Sequence, residues 1–246
     1  MIKELENILK HVGKNILQND FTETYKDKDI VTNLDLEAER WIIQEIKKLR
    51  PHDLFISEEE NQEDLTHEPT WIIDPIDGTL NFTRSIPQYG IQIALYENKE
   101  AKLSMMYFPE SDQILYAKKG HGTFLNHERI NISPMPLSKS IITFGDFSKS
   151  QPSSRPIQLK MMSDLMDHVM KIRIYGASSS DFSYVAIGKS QAHIIFTKRI
   201  WELAAGLLII DEAGLKAHHI EFDTCDGYIL GHPDTIDNLL EYIKRG

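Results

Sequence analysis

The chain has 246 residues, 41% hydrophobic and 26% charged, which is enough to bury a sizeable core as one unit or two closely joined ones. Its net charge of −10 opposes binding to a nucleic-acid polymer, which needs a basic surface, and no apolar run reaches the roughly 18 residues of a membrane helix. A single cysteine, Cys225, excludes an intrachain disulfide, and charges at Lys3, Glu4, Glu6 and Lys10 do not fit a signal peptide, so a cytoplasmic protein without membrane contact is expected.

Ile2, Leu5, Ile8, Leu9, Val12, Ile16 and Leu17 recur with helical spacing on one face, which predicts a helix over residues 1–20. Thr22 to Asp29 is polar and reads as a loop. A second helix follows, with Leu36, Ile43, Ile46 and Leu49 on its apolar side, ending before Pro51. Asp35 stands near its start, where an acid is favourable on helix-terminus grounds alone. Leu54, Phe55 and Ile56 predict a short buried strand. Ser57-Glu58-Glu59-Glu60 leaves it, and three successive acids ordinarily mean a solvated loop.

Trp71, Ile72 and Ile73 read as the end of a buried strand, and Asp74-Pro75-Ile76-Asp77-Gly78-Thr79 leaves it. Pro75 fixes its own φ and pushes Asp74 toward extended backbone, while Gly78 permits a tight turn. If a helix starts after Thr79, the amides of Gly78, Thr79 and Leu80 point at one spot and favour an anion. Carboxylates beside amide donors conflict unless a divalent cation lies between the acids, so the stretch reads as a metal–phosphate site. The plainer reading is an Asp-Pro turn with Asp77 as a helix cap. That reading leaves unexplained the Glu-rich patch upstream and a second acidic signature downstream.

Tyr89–Tyr96, Leu103–Phe108 and Gln113–Ala117 read as consecutive strands of an antiparallel meander. Gly120-His121-Gly122 precedes strand-like residues, so it is a β-turn and no dinucleotide fingerprint. Prolines at 134, 136 and 152 mark a composition shift. They place a boundary near residue 140, between an N-terminal α+β subdomain (1–140) and a C-terminal α/β subdomain (141–246) of one compact unit. Beyond it the pattern gives a helix at Leu159–Met170 with Met161, Met162, Met166 and Met170 as core filler, and a strand at Lys171–Tyr175. A helix at Ser183–Lys189, a strand at Gln191–Phe196 and a helix at Trp201–Ala213 capped by Gly214 follow. A strand at Tyr228–Leu230 and a helix at Asp234–Arg245 close the chain. Strand–helix alternation implies a largely parallel sheet in this half. Gly176-Ala177-Ser178-Ser179 is a small-residue turn that either lets a ligand approach the backbone or caps a helix.

The stretch DPIDGTLNF resembles the signature of the inositol monophosphatase family, within the metal-dependent, lithium-sensitive phosphomonoesterases. Asp29-Ile30-Val31-Thr32 through Asp35, Ser57-Glu58-Glu59, and Trp201-Glu202-Leu203-Ala204-Ala205-Gly206 through Glu212-Ala213-Gly214 match in the same order. The resemblance implies a layered α-β-α-β-α sandwich of the inositol monophosphatase and fructose-1,6-bisphosphatase type, with the site between its two halves, and a homodimer. It places metal ligands at Glu58, Asp74, the Ile76 carbonyl, Asp77 and Glu202, for two or three Mg2+ ions, with Glu59 supporting Glu58. It pairs Asp35 with Thr79 to activate the attacking water and makes Lys26 a candidate active-site lysine. The expected reaction is hydrolysis of a small phosphate monoester, a metal-activated water attacking phosphorus in line, with Gly78 and Thr79 amides on the phosphoryl oxygens. Gly176, Ala177 and Ser178 are expected on the phosphate side.

Two residues depart from the family pattern. Glu202 stands where aspartate is usual, a carboxylate one methylene longer, and Leu215 replaces a glycine. The first keeps a second reading open, a catalytically weak homologue that binds a phosphorylated metabolite. Polyol-specific members carry an acid seven positions before the Trp-Asp acid; here that position is Ile195. Lys198 and Arg199 lie close by and suit phosphate groups. The alternative substrates are therefore NADP, a nucleotide 3′-phosphate or fructose bisphosphate.

Overall fold

A computed structural model describes residues 1–26 and 29–243, the side chains of Lys26 and Asp29 excepted. The Lys26 side chain, Lys28, and the predicted end of the last helix at Arg245 lie outside the described residues. The first two periodicities become α1 (Ile2–Gln18) and α2 (Asn33–Leu49). The buried stripe of α2 is Leu34, Ala38, Ile42 and Ile46, rotated from the predicted one, and Leu49 is exposed. Between the helices the expected loop contains a hairpin, β1 (Glu23–Lys26) antiparallel to β2 (Asp29–Thr32). Its first strand exposes Tyr25, so backbone pairing rather than burial holds it, and pairing leaves no apolar period in the sequence.

A seven-stranded sheet follows in chain order: β3 (Leu54–Ser57), β4 (Thr70–Asp77), β5 (Gly90–Glu97), β6 (Glu100–Phe108), β7 (Gln113–Lys118), β8 (Gly122–Leu125) and β9 (Glu128–Arg129). β3 runs parallel to β4 and the rest is the antiparallel meander. β4 does not stop at Ile73. It carries both acids within the strand, and the register against β5 shifts between Asp74 and Asp77, where Pro75 has no N–H to donate. A five-residue helix, α3 (Thr79–Thr83), then leaves from Gly78 at φ 89.

The second sheet contains β10 (Ile141–Phe144), β11 (Lys171–Arg173), β12 (Ala192–Ile195), β13 (Lys216–Phe222) and β14 (Cys225–Gly231), in the order β11-β10-β12-β14-β13. β10 is parallel to β11 and β12, but β14 is antiparallel to β12 and β13, so the expected parallel arrangement holds for three strands only. β10, in the proline-marked stretch, and the polar β13 gave no strand signal. The helices of this half are α4 (Ser154–Leu165), α5 (Ser178–Ala186), α6 (Ile200–Glu212) and α7 (Pro233–Ile243). α4 starts and ends earlier than predicted, which leaves Met166 and Met170 beyond it and exposed; Met161 is the buried one. α5 starts at Ser178 rather than Ser183.

Strand alternation sorts the side chains into layers. Trp71, Ile73, Ile91 and Ile93 pack with α1 and α2, whereas Ile72, Ala94 and Met106 face the opposite way, onto α5 and α6. Ile142, Phe144 and Ile194 pack on α4 and α7. The result is α-β-α-β-α, with α5 and α6 between the sheets. Among the described residues no helix is long and apolar enough to cross a membrane.

The middle layer is tight. A Cβ on Gly206 of α6 would stand 2.1 Å from Cδ1 of Phe182 on α5, a ring with no exposed surface. Gly206→Ala is expected to cost about 1–3 kcal/mol by overpacking, seen as a lower urea midpoint. Phe182→Leu in that background should recover part of the loss, because touching residues are not additive. An unchanged midpoint for Gly206→Ala would contradict this packing.

Candidate active site

A cleft of about 470 Å³ opens between the sheets, and its lining includes Glu58, Asp74, Asp77 and Glu202. Each acid arrives from a different local cause. Asp74 and Asp77 ride on β4 either side of Pro75. Glu202 is in the first turn of α6, where a negative charge is favoured. Glu58 follows β3, and its amide donates to the Ile73 carbonyl at 3.3 Å, which keeps the loop against β4.

The rest of that loop is held by a residue the sequence reading missed. Glu39, fully buried on α2, accepts from the amides of Glu59 at 2.9 Å and Glu60 at 3.0 Å and from Asn61 Nδ2 at 3.2 Å. A sequence signal existed. Asp35, Glu39, Ile42 and Ile46 share helical spacing, so Glu39 is a carboxylate on the buried stripe. Glu59 stands beside Glu58 and raises its pKa.

All four cleft acids are pushed up. Glu58 rises to about 8, first from burial and then from Glu59 and Glu202. Asp74 rises well above its ordinary value from burial and from Glu58 and Asp77. Asp77 and Glu202 rise from burial despite their hydrogen bonds. The Glu58 and Glu202 side chains keep 24% of their surface accessible, but that surface faces the cleft, where protein atoms replace most of the water around each carboxyl. Asp74 Oδ2 accepts a 3.3 Å bond from Gln92 Nε2, and its Oδ1 is buried with no hydrogen-bond partner. An orphaned carboxylate oxygen among mutually repelling acids fits a hard divalent cation. Among the described residues, however, no three His, Cys, Asp or Glu side chains are already gathered as an ion's ligands. Glu58 and Glu202 instead hold a guanidinium, with Arg199 Nη1 at 3.6 and 3.4 Å.

Asp77 is engaged elsewhere as well. Its Oδ1 accepts from the amide and hydroxyl of Ser178 at 3.2 and 3.1 Å, and its Oδ2 from the amide of Ser179 at 2.6 Å and the Ser179 hydroxyl. A carboxylate a hundred residues away thus caps α5. Small residues at 176–179 serve that approach: a Cβ on Gly78 would lie 2.8 Å from Ala177 Cβ. Gly176, Ala177 and Ser178 all line the cleft, with the Ser178 amide turned to Asp77. Asn81 Nδ2 adds a second tie across the halves, donating to the Tyr175 carbonyl at 2.7 Å.

Asp35 and Thr79 meet as the resemblance implies. Thr79 Oγ1 lies 3.1 Å from Asp35 Oδ1 and 2.9 Å from the Ile76 carbonyl. Asp35 also closes a capping box, its Oδ2 accepting from the Thr32 amide and hydroxyl at 2.7 and 2.6 Å. The helix cap and the contact with Thr79 therefore belong to one side chain. Burial pushes Asp35 up.

On the remaining wall stand Ile195, Asp146, Phe147, Lys149 and Tyr25. Lys198 is absent from the lining, and its Nζ lies 3.4 Å from Asp226. Asp181 also lines the cleft, its Oδ1 buried without a hydrogen bond and 3.7 Å from His193 Nδ1, and burial raises it.

The whole architecture has known counterparts. The inositol monophosphatase family model matches residues 2–236. A Thermotoga maritima fructose-1,6-bisphosphatase/inositol-1-monophosphatase is 35% identical over 76% of this chain and 70% of its own. The Bartonella henselae extragenic suppressor protein suhB superposes with a TM-score of 0.89 at 26% identity, over 100% of this chain and 98% of that one. An IMPase/NADP phosphatase crystallised with Mg2+ and phosphate gives 0.80 at 25% identity, over 98% and 90%. The chain belongs to the inositol monophosphatase family and is a phosphoric monoester hydrolase.

Proposed function

We propose that the chain hydrolyses a small phosphate monoester with Mg2+, two or three ions being held by Glu58, Asp74, Asp77, Glu202 and the Ile76 carbonyl. The observation that carries this reading is the unpartnered, buried Asp74 Oδ1 among acids whose charges raise one another's pKa. A relative crystallised with Mg2+ and phosphate supports the choice of ion. When bound, Mg2+ lowers the pKa of a water and stabilises the leaving oxygen.

The chain's own groups do the rest. Thr32 fixes Asp35, and Asp35 Oδ1 is placed to accept the Thr79 hydroxyl proton. The Thr79 oxygen then accepts from the attacking water and orients it for in-line approach. The raised pKa of Asp35 makes it the better proton acceptor. The first amides of α3, at Gly78 and Thr79, hold the phosphoryl oxygens. Gln92 fixes Asp74 at one oxygen and leaves the other to face the cation.

The substrate side favours a nucleotide or sugar phosphate over inositol 1-phosphate. Ile195 supplies no acceptor for a polyol, while Tyr25 and Phe147, both exposed, offer ring faces and Asp146 an acceptor for a ribose or sugar hydroxyl. Among the described residues Lys149 and Arg199 are the cations in the lining, Arg199 lying beside Glu58 and Glu202 and Lys198 beside Asp226 outside it. The competing reading, a metabolite-binding homologue with weak catalysis, draws on the engaged state of Asp77 and Arg199.

Phosphate release with Mg2+ against an EDTA control separates the two readings, and Asp74→Asn is expected to leave less than about a tenth of the wild-type rate with the fold intact. A larger residual rate argues against Asp74 as a metal ligand. Among substrates, NADP, 3′-phosphoadenosine 5′-phosphate and fructose 1,6-bisphosphate should each exceed inositol 1-phosphate in kcat/KM, and Phe147→Ala should narrow the gap for the nucleotides. Inositol 1-phosphate as the best substrate contradicts this assignment.

The raised carboxyls also set a pH dependence. Glu58, at about 8 when folded against 4.5 otherwise, binds its proton more tightly in the folded chain. The stability it contributes is complete below 4.5 and is lost as pH climbs through about 8. In EDTA the melting temperature should therefore fall over that window, and saturating MgCl2 should remove the fall by binding only the folded state. A melting temperature that rises over the same window in EDTA would contradict the crowding of these acids.

A further inference from the structure

We infer that Arg199 competes with the metal ion for Glu58 and Glu202, and that arrival of the ion releases the guanidinium toward the phosphate side of the cleft. The inference rests on the Mg2+ reading above. One nitrogen, Arg199 Nη1, lies 3.6 Å from Glu58 Oε1 and 3.4 Å from Glu202 Oε1, so a single cationic group joins acids that come from β3 and from α6. These are the same carboxylates that the resemblance gives to the metal. A Mg2+ ion coordinates oxygen at about 2.1 Å and tolerates little deviation, so it cannot share the gap with a guanidinium. Nor can Arg199 yield by losing its proton, as a lysine or histidine could, because guanidinium stays charged at any working pH. It has to move.

The local structure allows that movement and directs it. The Arg199 backbone is fixed immediately before α6, its amide donating to Thr197 Oγ1 at 3.1 Å. Its side chain is 30% exposed and lines the same cleft as Gly78, Thr79 and Gly176. A guanidinium swung off the two glutamates stays within that cleft, where its paired N–H groups suit a phosphoryl or other oxyanion. Lys198 stands outside the cleft lining, 3.4 Å from Asp226. Metal and ester are then coupled through one side chain. The ion frees the arginine, and the ester anion, by holding the arginine away, tightens the ion. The apparent metal affinity is the intrinsic one reduced by the fraction of molecules in which Arg199 is displaced.

The test is calorimetric titration of MgCl2 alone, without substrate, into wild-type protein and Arg199→Gln. The variant should bind Mg2+ roughly tenfold more tightly, the competitor having been removed. Equal or weaker binding by the variant overturns the inference. A wild-type measurement guards against a variant that does not fold: phenylglyoxal modification of Arg199, read by peptide mass spectrometry, should be faster in MgCl2 than in EDTA. Equal or slower modification in MgCl2 also overturns it. Wild-type protein that binds no Mg2+ would instead remove the metal reading on which the competition depends.

Discussion

Glu58, Asp74, Asp77 and Glu202 line one cleft, and burial is the first cause of every one of their raised pKa values. Such a cluster cannot be left to itself. The fold answers with three kinds of partner. Asp77 receives amides and hydroxyls from the start of α5, Asp74 receives the amide of Gln92, and Glu58 and Glu202 share a guanidinium. Asp74 Oδ1 is left buried with no hydrogen-bond donor among the described residues.

The same contacts join the two halves. Asp77 reaches α5 and Asn81 reaches the Tyr175 carbonyl, so the seven-stranded sheet is tied to the second half at the site itself. Gln92 spans the join too, since its Nε2 lies 3.3 Å from both Asp74 Oδ2 and Ser178 Oγ. Beneath these polar ties the middle layer packs without slack, as the Gly206–Phe182 approach requires. Anything that alters the charge at the cleft therefore acts directly on the join.

Much of this was legible in the chain. The Asp74–Thr79 stretch stood out because an Asp-Pro turn alone leaves unexplained the acidic stretches upstream at Glu58 and downstream at Glu202. Helices α1, α2 and α6 and the meander β5–β7 followed from apolar period alone. The misses share one cause. β1, β10 and β13 are held by pairing with strands distant in sequence or polar on one face, and pairing writes no period into a short segment. The start of α5 was missed because its cap, Asp77, lies in another part of the chain.

What the sequence by itself determined is the set of acids, their order and their chemical kind, since carboxylate oxygen donors are written directly in the residue types. Only the tertiary structure decided what each charged group does with its neighbours. Lys198 and Arg199 are adjacent in sequence and equivalent on paper, yet one meets Asp226 and the other meets Glu58 and Glu202. Electrostatic partnership falls off over a few ångströms, and which carboxylate lies within that range is set by how two sheets and the helices between them pack, a property no local stretch contains.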